Sequence, residues 1–118
     1  MDIEKIVRQI KNFDYQSIDA DEFLDKRDSK EFETEWLNVY NQIDRNAIPD
    51  DIRKKSDELR KEVFLSIDEL SGSGELAEYI SDDIELLIFA DYLKITGSWF
   101  EKFIETYEKG ELPTGVLD

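Results

Sequence analysis

The chain has 118 residues with 30 acids against 15 bases, a net charge of -15, and no Cys or His. That balance excludes the basic footprint nucleic-acid binding needs and disfavours anionic membrane surfaces. The missing Cys and His remove disulfides, thiolate metal sites and the commonest general base.

A hydrophobic fraction of 40% is enough for one modest core, so a single domain over residues 1–110 with a tail over 111–118 is expected. The longest uncharged apolar run, Leu86 to Ala90, is far too short to span a membrane. Met1-Asp2-Ile3-Glu4 opens with acids and lacks the basic region of a signal peptide, which points to the cytoplasm.

Almost every segment predicts helix, since Pro stands only at 49 and 113 and no stretch alternates as a strand. A first helix runs from about Ile3 to Phe13, with Asp2 as its cap and Ile3, Ile6, Val7, Ile10 and Phe13 on one face. A second starts at Asp19, which has capping-box spacing to Glu22, with Ile18 and Phe23 placed as a hydrophobic staple. Residues Asp25 to Glu31 are all polar, so this helix either stays solvated there or breaks and restarts at Asp28 or Ser29. Phe32, Trp36, Leu37, Val39, Tyr40 and Ile43 resume the apolar face.

A third helix begins near Pro49, with Asp50 and Asp51 at its positive end. Ile52, Leu59, Val63, Phe64, Ile67 and Leu70 form its stripe, and Ser71-Gly72-Ser73-Gly74 stops it. After a short turn over Glu75 to Tyr79, a fourth helix starts around Ser81. Its apolar positions, Ile84 and Leu86 to Ala90 with Tyr92, Leu93 and Ile95, make it the most buried. Thr96-Gly97-Ser98 interrupts the pattern before Trp99, Phe100, Phe103, Ile104 and Tyr107, so 82–109 is either one rod or two segments broken near Gly97. Gly110 ends it, and Glu111 to Asp118 is expected to be a loose tail. The fold class is therefore all-α, an antiparallel four-helix bundle, five-helical if the last helix breaks.

The most informative stretch runs from Glu62 to Leu93, with nine acids and no Lys or Arg. Its apolar runs, Val63 to Leu65 and Ile84 to Phe89, mark it as folded rather than a disordered acidic tail. The plain explanation is a solvated helix face, with Asp82 and Asp83 favoured by a helix dipole. The functional one is capture of a basic partner, because clustered charge steers association. Glu78, Asp82, Asp83 and Glu85 lack the order of a calcium loop, so no metal and no cofactor is expected. Gly72 and Gly74 lack the spacing and the following Lys of a phosphate-binding loop. Trp36, Tyr40, Trp99, Phe100 and Phe103 fit core positions, although an exposed aromatic between Trp99 and Tyr107 would suit a partner. Without His, an enzyme is not expected.

Three local patterns, Ile18-Asp19-Ala20-Asp21-Glu22-Phe23, the helix end from Phe64 to Leu70, and Tyr79 followed by Asp82-Asp83 and Leu86, resemble the colicin D immunity family. The likeness spans roughly residues 3 to 95 and leaves the aromatic segment Trp99 to Tyr107 outside it. It implies an antiparallel four-helix bundle that blocks a cognate tRNA-cleaving nuclease by filling its basic cleft with phosphate-mimicking carboxylates. The family's helix-end carboxylate falls on Asp68. Its loop carboxylate falls near Ser73, where this chain has no acid, leaving Glu69 or Glu75 as substitutes. The expected toxin-binding set is Asp68, Glu69, Glu75, Glu78, Asp82 and Asp83. A nucleic-acid mimic directed at a DNA-binding enzyme, a helical adaptor and a carboxylate hydrolase remain as alternatives, and the oligomeric state is open.

Overall fold

The computed structural model describes residues 1–117. It contains α1 (Ile3–Asn12), α2 (Ala20–Arg27), α3 (Lys30–Tyr40), α4 (Asp50–Ser71), α5 (Gly74–Tyr92) and α6 (Ser98–Glu108). Short 3-10 turns stand at Tyr15–Ser17 and Arg45–Ala47, and no strand occurs among the described residues. The all-α class is as the periodicity implied. The helix count is higher than four because two expected helices each break in two.

The caps explain where the breaks fall. The Asp2 side chain accepts from the backbone N–H of Lys5 at 3.0 Å, and Asp19 accepts from Asp21 and Glu22. The second expected helix breaks at Asp28 and Ser29, where the Ser29 hydroxyl accepts from Phe32 N–H and opens α3. α4 ends on Gly72, whose φ of 70° is the left-handed conformation that glycine adopts without strain.

The start of α5 corrects one expectation. It begins at Gly74 rather than Ser81, because Ser73 supplies the cap by accepting from Leu76 N–H at 3.1 Å. The stretch Glu75 to Tyr79 is therefore the first turn of α5 and not a separate one. Ser81 is buried mid-helix, and its hydroxyl donates back to the Glu78 carbonyl at 2.9 Å. At its far end α5 stops on Lys94, which sits at φ 58°, and the rod over 82–109 divides into α5 and α6.

The two-residue link of Gly72 and Ser73 folds α5 back along α4, and this antiparallel hairpin is the most extensive helix pairing. α5 is buried nearly all round, through Leu76, Ala77, Ile80, Ile84, Leu86 to Ala90 and the polar Ser81 and Asp83. Each fully buried Leu or Ile there contributes roughly 1.5–3 kcal/mol, so α5 organises the core. α1 packs against α4 and α6, and α3 lies against α5. Phe32, Trp99, Phe103 and Tyr107 interlock edge-on and stacked, joining α3 to α6. Four residues expected on apolar faces, Leu37, Tyr40, Leu70 and Tyr92, are exposed instead, because the helices bury narrower stripes than the sequence offers.

The segment after α6 is not loose. Pro113 is buried, Leu112 and Leu117 pack on the core, and the Thr114 hydroxyl donates to the Phe23 carbonyl at 3.0 Å. Residue 118 lies outside the described residues.

Candidate functional site

The α4–α5 turn brings the acids together. Asp68 and Glu69 occupy the last turn of α4, and Glu75 and Glu78 the first turns of α5. Asp68 Oδ1 lies over the turn, 3.6 Å from where a Cβ on Gly74 would stand. All four side chains are exposed, and none has an ion-pair partner among the described residues. Asp68 and Glu69 stand at the negative end of a helix whose last turn carries no base. Each acid there costs the fold about 0.3–1 kcal/mol, where a lysine would stabilise it. Glu75, at the positive end of α5, is favourably placed.

Along α5 the acids Glu75, Glu78, Asp82 and Glu85 recur at spacings of three and four and so form one row. The far half of that row is neutralised by other helices. Arg60 reaches Asp82 and Glu85, both at 2.6 Å, and Arg45 reaches Glu85 at 2.7 Å. Burial, with the nearby charges of Asp83, Glu78 and Glu85, raises the Asp82 pKa above its ordinary 3.8 despite Arg60. Elsewhere Lys11 pairs with Glu62 at 2.6 Å, while Asp91 stands exposed at the opposite end of α5. The stretch lacking bases in sequence is thus partly neutralised in space. What remains free, apart from Asp91, gathers at one corner.

Asp83 must be corrected. It does not begin a helix, and it faces no partner: its side chain is 0% exposed. Its carboxylate accepts both terminal nitrogens of Arg27 at 3.0 and 2.7 Å, the Trp36 indole N–H at 2.9 Å and the Tyr107 hydroxyl. This one group ties together α2, α3, α5 and α6. Burial opposes charge on Arg27, but Asp83 and Tyr107 outweigh it and raise the guanidinium pKa. Burial, reinforced by Asp83, raises the Tyr107 phenol well above its usual range, so it stays a donor. Arg27 itself was hidden in a polar run, and only its position four residues after Phe23 hinted that it points inward.

Sequence reasoning also missed Asp28 and Tyr79. The Tyr79 hydroxyl donates to Asp28 at 2.7 Å, and this bond, helped by burial, pushes the phenol up to about 12. The pair places the carboxylate of Asp28, which caps the end of α2, beside the α5 row. Among the described residues no group of three or more carboxylates is disposed to hold a metal ion, and no helix is long and apolar enough to cross a membrane.

Fold and corner together make an all-α scaffold with an unpaired acidic corner. Residues 2–114 match the family model described as immunity protein PIM1, and the chain belongs to that family. Its role is accordingly that of an immunity protein, which binds and neutralises a cognate toxin. No curated protein matches the chain.

Proposed function

We propose that the cognate toxin is a basic nuclease acting on tRNA, as in the colicin D system the sequence resembles, and that this chain covers its active site in the cytoplasm without performing chemistry of its own. Asp68, Glu69, Glu75 and Glu78 stand in for RNA phosphates, with Asp82 at the inner edge of the surface; Asp83 has no part in the contact. The observation that carries this reading is the pair Asp68 and Glu69. They are held without a counterion where a helix end disfavours them.

Carboxylates against the Lys and Arg of a phosphate-binding cleft form charge-assisted hydrogen bonds. Their common sign steers encounter, which suits a protein that must meet its toxin before damage occurs. Leu65 and Leu70, exposed on the same end of α4, add the apolar contact that an interface centre needs.

The test is co-purification with the basic domain encoded by the adjacent toxin gene, followed by affinity measurement across salt. Charge reversal of Asp68→Lys with Glu75→Lys is expected to weaken binding by roughly a hundredfold or more, in line with lost interfacial charge pairs. Asp91→Lys, at the other end of α5, is expected to leave it unchanged. Equal binding at low and high salt, or an unaffected double variant, sinks the proposal.

A further inference from the structure

A cavity of about 200 Å³ opens between α2–α3 and α5. Phe32, Trp36 and Tyr79 form its walls, and Asp28, Glu33 and Asp82 stand around it. The volume is below the roughly 300–1,000 Å³ of small-molecule sites and suits one side chain. We propose that this cavity receives a single arginine side chain of the toxin, an inference that rests on the acidic-surface reading above and gives that surface an anchor.

The charge of the site selects a cation. Arg27 lies at its base, but both terminal nitrogens of Arg27 are committed to Asp83, so that pair is neutral as a unit. Asp28 and Glu33 are exposed and in no ion pair among the described residues. Asp82 shares Arg60 with Glu85. An entering anion is repelled by the unpaired Asp28 and Glu33, whereas a cation meets those two carboxylates, the rim carboxylate of Asp82 that Arg60 already holds, and the rings of Trp36 and Tyr79.

The walls favour arginine over lysine. A planar guanidinium stacks on flat rings and offers paired donors to carboxylates, which a compact ammonium does not. The fold already uses this chemistry one layer deeper. The Arg27 guanidinium sits 4.3 Å from the Phe32 ring centre and 5.8 Å from that of Tyr79 while its nitrogens grip Asp83.

Position links the cavity to the acidic corner. Glu78 and Asp82 are one helical turn apart on α5, so a partner lying on Glu75 and Glu78 stands about one turn from the cavity mouth. A partner of that kind inserts one buried anchor at the centre of an otherwise electrostatic contact, the usual distribution of binding energy in an interface.

The probes are N-acetyl-arginine amide, its neutral isostere N-acetyl-citrulline amide, and N-acetyl-lysine amide, titrated into the 118-residue protein. The readout is the indole N–H resonance of Trp36, with Trp99 as internal reference. Arginine amide is expected to shift Trp36 saturably with a Kd on the order of millimolar, as befits one side chain alone. Citrulline amide is expected to bind at least roughly tenfold more weakly, the worth of one charge-assisted contact. The surface variant Asp28→Asn with Glu33→Gln, which leaves the Arg27–Asp83 pair intact, is expected to weaken both the arginine amide and the toxin by about tenfold or more.

No Trp36 response, an equal response to citrulline or lysine amide, or full toxin affinity in the Asp28→Asn, Glu33→Gln variant overturns the inference. A normal arginine response in a protein whose toxin binding ignores Asp68→Lys with Glu75→Lys instead removes the acidic-corner reading and leaves the cavity as a guanidinium site. The two failures are therefore told apart.

Discussion

Replacing Asp83 with Asn keeps the shape of the side chain and removes its charge. Four hydrogen bonds converge on that carboxylate from Arg27, Trp36 and Tyr107, and none of its surface is exposed. Asn offers one acceptor oxygen and turns an NH2 group toward groups that are themselves donors. The larger loss is that the Arg27 side chain, only 4% exposed, keeps its charge without a counterion. Breaking such a pair from one side costs about 3–5 kcal/mol. A domain of this size holds about 5–15 kcal/mol in total, so roughly a fifth or more of its stability is at stake. With roughly 3–6 °C per kcal/mol for a chain of this length, Tm is expected to fall by about 10–30 °C. Urea unfolding followed by far-UV circular dichroism and Trp fluorescence measures this directly, and the m-value is expected to stay constant. Arg27→Met combined with Asp83→Leu is expected to recover only part of the loss, because the apolar pair needs no counterion but leaves the Trp36 N–H and the Tyr107 hydroxyl without their acceptor. Below the lowered Tm, Asp83→Asn is expected to weaken toxin binding as well, because Arg27 at the base of the cavity then meets the entering guanidinium with its charge uncompensated. A loss under about 1 kcal/mol would refute the buried-pair account and mean that water solvates Arg27.

Three other outcomes follow from specific residues. Lys94→Gly is expected to stabilise the fold by about 1 kcal/mol in thermal unfolding, because Lys94 closes α5 at φ 58°, where a Cβ is strained. Tyr79 keeps its proton to about 12 in the fold, against an ordinary value of 10.0. Above pH 10 the unfolded chain therefore loses a proton that the folded chain retains. Stability falls as pH rises between those values and is fully present below them, and Tyr79→Phe is expected to flatten that part of an alkaline unfolding series. Arg60→Gln releases Asp82 and Glu85 from their shared partner. It is expected to lower stability by at most about 1 kcal/mol while speeding toxin association severalfold at low salt only, as stopped-flow mixing would show.

Much of the scaffold was legible because its signals are local. Asp2, Asp19, Pro49 and Gly72 mark helix ends through rules that involve only the nearest turn. The start of α5 was misplaced because Ser73 sits among glycines that signal a stop, while Ser81 precedes an acidic pair and looks like a cap. The spacing of Leu76, Ile80, Ile84 and Leu87 carried the correct answer, since one apolar stripe continues across the supposed boundary. The candidate site was legible in composition and not in neutralisation. Arg27 pairs with a carboxylate 56 positions away and Arg45 with one 40 away, and no local pattern reports such partners. Asp83 and Asp82 look alike in sequence. Yet one faces the inward side of α5 beside Ile80 and Ile84, and the other the rim, a difference of one helical step of about 100°.

The buried Asp83 junction has a consequence for how such proteins diversify. It fastens four helices from within, whereas Asp68, Glu69, Glu75 and Glu78 sit on an outer corner that shares no hydrogen bond with it. Replacements at that corner leave the fastening untouched. If that corner is the toxin contact proposed above, a lineage can retune which adversary it disarms, residue by residue, without risking the integrity of the molecule that does so.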